Sequence, residues 1–267
     1  MPELPEVEVV RAGLEPYVKG ATFERVDVLH PRAARGNDAN LEHALIGRRV
    51  SAVSRRGKFM WLELGQPKPD TLFIHLGMSG QLRVGDVVSP HERIRAKFSN
   101  SLTLSFIDQR TFGYWKLGEL DNIAHIARDP FESDFDREKV AREILRRKSP
   151  IKSVLLNQEI VSGIGNIYAD EALWAATIHP RRLATTLSHH EALVLLDSAR
   201  DVMAQALQEG GTSFDALYVN VNGESGYFER GLNAYGRSGL PCTRCGTLLV
   251  RESISNRSSH WCPRCQK

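Results

Sequence analysis

Four cysteines near the C-terminal end constrain the fold more than any other feature of this 267-residue chain. They form two Cys-x2-Cys pairs separated by sixteen residues: Cys242, Cys245, Cys262 and Cys265. This spacing is typical of a tetrahedral four-thiolate zinc site in which each pair forms one knuckle. Two disulfides are the alternative, which a reducing cytosol disfavours. The pattern predicts one Zn2+, structural because sulfur fills every ligand position, and a β-hairpin between the pairs with Arg257 near its tip.

The hydrophobic pattern of the N-terminal half predicts a β domain. After a helix predicted from Pro5 to about Glu15, short apolar runs follow one another between about residues 22 and 121. The clearest runs are 50–53, 59–64, 72–76 and 102–106. Many short strands within about 100 residues are typical of a β-sandwich or barrel. We therefore expect a first domain at residues 1–121.

The pattern becomes helical after a predicted linker at residues 122–135. Helices are expected at 136–148, 151–156, 166–178 and 188–209. Ser188 and Glu191 have the spacing of a capping box. The expected divisions are a helical domain at 136–212, a loop and connection at 213–240 and the zinc finger at 241–267. The fold class predicted for the chain is α+β.

Composition excludes some classes of protein and leaves others open. Hydrophobic residues make up 42% and charged residues 25% of the chain, as in ordinary globular proteins. No apolar run approaches the ~20 residues that span a membrane, and the acidic start lacks a secretory signal, so a cytoplasmic protein is expected. The net charge is only +3, but basic residues cluster in 55–58, 142–152 and 244–267. Such clusters neutralise phosphates or form solvated faces.

The run MPELPE at the N-terminus carries a possible nucleophile. If Met1 is removed, Pro2 presents a secondary amine, and a terminal amine with a pKa of roughly 7.7–8.0 is partly unprotonated near neutrality. Such an amine can attack a sugar aldehyde carbon and form an iminium, while Glu3 and Glu6 hold or deliver protons. The alternative is that Pro2 has no function and Pro5 only starts a helix.

Several turns carry residues suited to nucleic acid. Gly163–Asn166 opens a predicted helix, where a phosphate binds well, although a structural helix cap is the alternative. Lys58 follows two arginines and a glycine, which favours a phosphate contact. Met78 and Phe112 lie at tight turns, where they serve ordinary packing or fill the gap left by an extruded base.

Together these motifs resemble the family of bacterial formamidopyrimidine-DNA glycosylases, which also includes endonuclease VIII. The shared segments are PELPEVE at 2–8, RRGK ending at 58, HLGMSG at 75–80, DQRTFG at 108–113, GIGNIYADE at 163–171 and the four-cysteine ribbon. The resemblance implies an N-terminal β-sandwich joined to a helical domain with a helix-two-turn-helix and a C-terminal β-hairpin zinc finger. It also implies that DNA lies between the two domains.

The resemblance further implies a DNA glycosylase/AP lyase of base-excision repair. It would remove 8-oxoguanine and formamidopyrimidines and cleave the strand by β,δ-elimination. Pro2 would be the Schiff-base nucleophile at the deoxyribose C1′ and Glu3 the proton donor, with Glu6 in the same catalytic group. Lys58 would assist at the lesion phosphate and in β-elimination, and Arg257 would act in δ-elimination.

Further residues match the family's DNA contacts. The residues expected at the DNA backbone are His91, Arg110, Arg147, Lys152 and Asn166. The residues expected to fill the void after base flipping are Met78, Arg110 and Phe112. The implied partner is double-stranded DNA containing oxidised bases or abasic sites, and the implied enzyme is a monomer in the bacterial cytoplasm, at the nucleoid.

Two segments depart from the family pattern, and two other functions stay open. Residues 256–259 read Asn-Arg-Ser-Ser where many members have Gly-Arg-Gly-Thr, and 213–217 replace a Thr-Leu-Arg-Asp-Phe-like run. Residues 220–228 resemble the lesion-capping loop of the oxidised-purine enzymes. The alternatives are an endonuclease VIII-like glycosylase for oxidised pyrimidines and a non-catalytic lesion-binding protein.

Overall fold

The structure, a computed structural model, describes residues 2–211, 221–222 and 231–267. The chain divides into two compact units, which are described separately below. The first comprises Met1–Ala124 with Glu209–Tyr227, and the second His125–Gln208 with Phe228–Lys267. Met1 and most of the loop expected at 213–240 lie outside the described residues. The domain boundaries expected from the sequence stay predictions.

The first unit is built on two four-stranded antiparallel sheets. One sheet has the order β1-β6-β7-β5 and the other β2-β3-β4-β8. The strands are β1 (Phe23–Val28), β2 (Ala52–Arg56), β3 (Phe59–Glu63), β4 (Thr71–His75), β5 (Gln81–Val84), β6 (Glu92–Phe98), β7 (Thr103–Ile107) and β8 (Tyr114–Gly118). Side chains from both sheets, such as Leu62 and Phe106, share one buried core. The predicted β-sandwich is therefore confirmed.

Two helices accompany these sheets. Helix α1 (Leu4–Val18) begins with Leu4-Pro5, where proline is tolerated because the first backbone N–H groups of a helix have no intrahelical acceptor. Its buried face, with Val7, Val10 and Leu14, joins the core of the sandwich. Helix α2 (Leu41–Leu45) is a single short turn capped by Asn40. The packing of α1 fixes the N-terminal residues against a rigid scaffold.

The second unit contains four helices and a two-stranded hairpin among its described residues. They are α3 (Arg137–Leu145), α4 (Ile151–Leu155), α5 (Asn166–Ala175), α6 (His189–Gln208), β9 (Val250–Ile254) and β10 (Arg257–Trp261). Helix α4, two turns and α5 form the predicted helix-two-turn-helix. The α+β fold class is confirmed.

Local signals explain where these helices begin and end. Ser188 and Glu191 exchange hydrogen bonds with each other's backbone N–H at 3.2 and 2.7 Å, which is the predicted capping box of α6. Gly210 follows α6 with a φ of +77°, a conformation that favours glycine. Helix α5 ends at Ala175, three residues earlier than predicted, because Thr177 adopts a φ of +60°. None of the helices in the described ranges has the length and apolar character to cross a bilayer.

Candidate functional site

The N-terminal residues with predicted chemistry lie buried at the start of α1. Pro2 is buried, and the carboxylates of Glu3 and Glu6 are each 2% exposed. The backbone N–H of Glu3 donates to Oε2 of Glu6 at 2.8 Å. Gly211 adopts a φ of +85°, and a Cβ at that position would lie 3.3 Å from Oε1 of Glu6. The site therefore places two carboxylates within one helical turn of Pro2.

A charged cluster on the next turn of α1 connects this helix to β2. Nε of Arg55 donates to Oε2 of Glu8 at 2.8 Å, and Arg11 donates to the same carboxylate at 2.8 Å. Burial raises the pKa of Glu8, but hydrogen bonds from Arg11 and Arg55 outweigh it and hold the pKa below its ordinary value. Hydrogen bonding to Glu8 raises the pKa of Arg11. Glu8 and Arg11 are therefore both ionised at neutral pH.

The same arginine reaches the turn that carries Lys58. Strands β2 and β3 are joined by Gly57 and Lys58, and Gly57 adopts a φ of +55°. Nη1 of Arg55 donates to the carbonyl oxygen of Gly57 at 3.0 Å. Arg55 thus ties helix α1, which begins beside Pro2, to the residue that precedes Lys58.

Two further turns, residues 77–80 and 109–113, are held together by one buried carboxylate. Asp108 is fully buried and accepts from the Ser79 hydroxyl at 2.5 Å and from the backbone N–H of Gly113 at 2.7 Å. The backbone N–H of Arg110 also donates to Asp108, at 3.2 Å. Gly77 permits the close approach, because a Cβ there would lie 2.7 Å from the nitrogen of Gly113. Asp108 therefore fixes the relative position of both turns.

The three side chains predicted to fill a void are exposed at these turns. Met78 is 41% and Phe112 45% exposed, and the two lie on turns that Asp108 holds together. Nη1 of Arg110 lies 3.7 Å from Sδ of Met78. The structure thus brings these three residues onto one small surface, and the void-filling role that the resemblance implied for them stays a prediction.

Two histidines lie beside this surface. The carbonyl oxygen of His91 accepts from the backbone N–H of Asp108 at 2.9 Å, so His91 is anchored to the same carboxylate-bearing segment. Burial lowers the pKa of His75, whose Nδ1 accepts from the N–H of Gly77 at 3.0 Å. A neutral His75 therefore supports the turn that carries Met78.

The cysteines of the second unit form a metal-binding site. Their four Sγ atoms all lie within 4.8 Å of one another. This donor set fits one tetrahedral Zn2+, and the protein binds one structural zinc ion there. Nε1 of Trp174 on α5 lies 3.4 Å from Sγ of Cys242, so the zinc finger packs against α5.

The hairpin of the zinc finger presents Arg257. Ser255 and Asn256 connect β9 and β10 with φ values of +49° and +61°, as a type I′ turn requires. The pairing then runs without a break from Arg257 with Ile254 to Trp261 with Val250. Arg257 is exposed as the first residue of β10. The Asn-Arg-Ser-Ser departure from the family pattern is therefore compatible with a regular hairpin.

Asn166, Lys152 and Arg147 have different environments. Asn166 is the first residue of α5 and donates from Nδ2 to the Ser258 hydroxyl at 3.3 Å. Arg147 has a half-exposed side chain. Lys152 is only 1% exposed, and its Nζ donates to Asp170 at 2.6 Å and to the carbonyl oxygen of Ser258 at 2.7 Å. This burial does not fit the phosphate contact that the resemblance implied for Lys152.

Sequence families match nearly the whole chain. The family described as the formamidopyrimidine-DNA glycosylase N-terminal domain matches residues 1–115, and the H2TH domain of the same enzymes matches 126–216. The zinc finger found in FPG and IleRS matches residues 239–267. The chain belongs to the formamidopyrimidine-DNA glycosylase family.

Relatives in this family are similar over their full length. The formamidopyrimidine-DNA glycosylase of Corynebacterium aurimucosum is 56% identical over 100% of this chain and 96% of its own. That of Mycobacterium ulcerans is 51% identical over 100% and 98%. The Lactococcus lactis Fpg, solved as a complex with DNA containing an abasic site, is 33% identical, with a TM-score of 0.88 and 99% of both chains covered. MutM solved with DNA containing carbocyclic 8-oxo-G is 32% identical, with a TM-score of 0.88 over both whole chains.

Several supporting residues of this family member were not singled out from the sequence. Asp108 lies within a segment that was quoted, but its burial and its bonds to two turns depend on the fold. Arg55 was counted only as part of a basic cluster. Glu171, 2% exposed, accepts from the backbone N–H groups of Asn233, Ala234 and Tyr235 at 2.7–2.9 Å. Asp170 is considered below.

Proposed function

We propose that this chain excises oxidised purines from double-stranded DNA and then cleaves the strand at the resulting site. The observation that carries the proposal is the arrangement at the start of α1, where Pro2 and two buried carboxylates are held on a rigid helix. Membership of the formamidopyrimidine-DNA glycosylase family supports an oxidised purine as the substrate. A water-activating glycosylase has no use for a terminal secondary amine.

The proposed reaction begins when the unprotonated amine of Pro2 attacks the deoxyribose C1′. The C1′–N9 bond breaks, its electron pair leaves with the base, and the base takes up a proton. Glu3 protonates the ring oxygen as the sugar opens, which leaves an iminium between Pro2 and C1′. Glu6 bonds the backbone N–H of Glu3 and keeps this segment in place.

The positive iminium then acidifies the C2′ hydrogen. Loss of that proton expels the 3′ phosphate in β-elimination, which Lys58 assists at the lesion phosphate. Loss of a second proton expels the 5′ phosphate in δ-elimination, for which Arg257 is the proposed residue. Water then hydrolyses the remaining iminium, which releases the sugar fragment as an aldehyde and returns Pro2 as the amine. The zinc ion has no open position for substrate in these steps, because sulfur fills all four of its ligand positions.

Residues of each unit have proposed roles in binding. Met78, Arg110 and Phe112 enter the space that a flipped base leaves in the duplex, which their exposure supports. The DNA backbone is contacted by His91, Arg110, Arg147 and Asn166. Residues 220–228, the proposed lesion-capping loop, lie largely outside the described residues. We place the enzyme, as a monomer, in the cytoplasm and at the nucleoid, where its substrate is found.

The test is a duplex with 8-oxoguanine opposite cytosine, treated with the enzyme and borohydride. A covalent protein–DNA adduct and a cleaved strand are expected, and N-terminal mass analysis should show Pro2 as the first residue. The matched control carries one extra residue before Pro2, which should abolish the adduct and leave duplex binding within about threefold, since binding rests on other residues.

Three results would overturn the proposal in different ways. An adduct formed by the blocked protein would exclude Pro2 as the nucleophile. Faster cleavage of a duplex with an oxidised pyrimidine would favour the endonuclease VIII-like activity. Salt-dependent binding without any cleavage by the native-start protein would indicate a non-catalytic lesion-binding protein.

A further inference from the structure

Among the described residues of the second unit, the carboxylate of Asp170 forms four polar contacts that the proposed reaction leaves unexplained. Asp170 lies on α5 and is 1% exposed. Its Oδ1 accepts from Nζ of Lys152 at 2.6 Å and from the hydroxyl of Ser259 at 3.1 Å. Its Oδ2 accepts from the backbone N–H of His260 at 2.8 Å and lies 3.1 Å from Nδ1 of the same residue. A carboxylate has about four acceptor positions, and here all four are used.

These bonds join three elements, two of which begin with a residue of proposed function. Lys152 belongs to α4, Asp170 to α5, and Ser259 and His260 to β10. Helix α5 begins with Asn166, four residues before Asp170, so the two side chains lie on the same face of the helix. Strand β10 begins with Arg257, two residues before Ser259. The carboxylate therefore lies between the first residue of α5 and the first residue of β10.

A second group of contacts closes the same arrangement around Ser258. Its carbonyl oxygen accepts from Lys152, and its hydroxyl accepts from Asn166. Ser258 directly follows Arg257, so the residue beside Arg257 is bonded to both helices. Buried hydrogen-bond networks centred on a fully satisfied group, here the Asp170 carboxylate, rigidify the elements that they connect.

We propose that Asp170 is a positioning residue that holds β10 against α5 and thereby sets the place of Arg257 relative to Asn166. Lys152 acts within this arrangement by neutralising the buried carboxylate, and not by touching DNA. The predicted effect on cleavage rests on the proposed function, in which Arg257 acts only in the second elimination. A change at Asp170 should therefore alter the second elimination and spare the first.

The first experiment compares the wild type with Asp170→Asn on the 8-oxoguanine duplex. Asparagine keeps the shape but replaces one acceptor oxygen with a donor that faces other donors. The rate at which borohydride traps the covalent protein–DNA adduct should stay within about threefold of the wild-type rate. The ratio of β,δ- to β-elimination product should fall by about tenfold or more, since misplacement by about 1 Å costs roughly a hundredfold in a positioned reaction. An unchanged ratio in a folded, zinc-loaded Asp170→Asn protein would overturn the proposal.

A double-variant comparison separates positioning from general damage. If Asp170 acts through Arg257, adding Asp170→Asn to Arg257→Ala should produce no further fall in the product ratio. An additive fall would show an independent role for Asp170 and contradict the proposal. Glu252→Gln is the matched control, because Glu252 lies on the same hairpin and forms an exposed ion pair with Arg181 at 2.7 Å. It should leave the ratio unchanged.

Two further measurements keep the proposal testable if cleavage or folding fails. Amide hydrogen exchange at His260 should be faster in Asp170→Asn than in the wild type, and equal protection would overturn the proposal without reference to activity. If Asp170→Asn does not fold, Ser259→Ala is the substitute, because it removes one bond to the carboxylate and leaves the Lys152 pair intact. A lower ratio of β,δ- to β-elimination product in Ser259→Ala would support the proposal, and an unchanged ratio would overturn it. Absence of any trapped adduct with the wild type would instead reject the proposed function.

Discussion

Each unit has an ion pair that supports its candidate functional groups, and the two pairs differ in burial. In the first unit, Glu8 and Arg55 connect α1 to the Lys58 turn, and their side chains are 25% and 8% exposed. In the second unit, Lys152 and Asp170 form an ion pair whose side chains are 1% and 0% exposed, next to a zinc site. Removing one partner of a partly exposed ion pair costs little stability, because water solvates the charge that remains. Removing one partner of a buried pair leaves an uncompensated charge in the protein interior.

This difference predicts that substitution of the ion pair destabilises the second unit more than the first. The first unit positions its groups with a large sandwich core, so its charged cluster is a local adjustment. The second unit has an apolar core between its helices, with Leu173 and Leu195 fully buried, but its zinc finger has only a small cluster around Cys242, Leu249 and Cys262. Such a small element needs a metal or a saturated polar network to stay in register. Four predictions test this comparison, from the largest effect to the smallest.

Loss of zinc should have the largest effect, and it should destabilise the second unit and not the first. Structural zinc sites contribute about 10–16 kcal/mol of apparent binding free energy near neutral pH. Cys262→Ser should therefore unfold the zinc finger and abolish measurable duplex binding, while the sandwich keeps its thermal transition. Metal content, calorimetry and binding to a labelled duplex check this outcome. Retained binding without zinc would mean that the second unit does not depend on its metal.

Breaking the buried pair should be the next largest effect. Lys152→Met leaves the Asp170 carboxylate buried without its cation, which should lower the free energy of unfolding by about 3–5 kcal/mol. Urea denaturation measures this change. The double variant Lys152→Met with Asp170→Leu should recover only the part that comes from the uncompensated charge, because the Ser259 hydroxyl and the His260 N–H then lose their acceptor. A loss below 1 kcal/mol for the single variant would contradict the burial argument.

Removing Arg55 should have a smaller effect on stability. Arg55→Met loses the bonds to Glu8 and to the Gly57 carbonyl, which should lower the free energy of unfolding by about 1–2 kcal/mol. Borohydride trapping should also slow, because the Lys58 turn is no longer tied to α1. The matched control is Arg137→Met, which removes an exposed pair with Asp197 and should change stability by about 0–1 kcal/mol. Equal effects for the two variants would refute the proposed link.

Acid should slightly weaken the partly exposed ion pair between Arg182 and Glu191. The Arg182 guanidinium, with the Ser188 backbone, lowers the pKa of Glu191 from 4.5 to about 2. Because the folded pKa lies below the unfolded one, the stabilisation is complete above about pH 4.5 and is lost as the pH falls toward 2. Glu191 is a third exposed, so less than about 1 kcal/mol is expected. The stability difference between the wild type and Glu191→Gln should shrink over this range, and a constant difference would contradict the pKa shift.

Some features of the fold were accessible from the sequence because they depend on neighbours in the chain. Alternating apolar residues predicted the strands that contain Phe59–Glu63 and Thr103–Ile107, and Ser188 with Glu191 predicted the start of α6. The ends of helices were harder to predict from the sequence. Helix α3 stops at Leu145 rather than at residue 148, since the chain then turns toward the start of α4. Such ends depend on packing between elements.

In the candidate site, too, the sequence predicted some residues and only the fold showed the others. Motifs singled out Pro2, Lys58 and Arg257 because each lies in a short recognisable segment. The support for these residues comes from distant parts of the chain: Glu8 and Arg55 are 47 residues apart, and Ser259 and Asp170 are 89 apart. The sequence did not show which side chains are buried, so the family resemblance implied a DNA-backbone contact for Lys152, which is 1% exposed.

The sequence by itself determined the zinc ligands, the two kinds of unit and the segment that carries Pro2. Ligand spacing, hydrophobic period and turn chemistry act over a few residues, so they can be read along the chain. Only the tertiary structure decided which charges are buried and what they hold, as with Asp108 between two turns and Asp170 between α5 and β10. The physical reason is that the free energy of a charge depends on the solvent and the partners around it, and these come from folding.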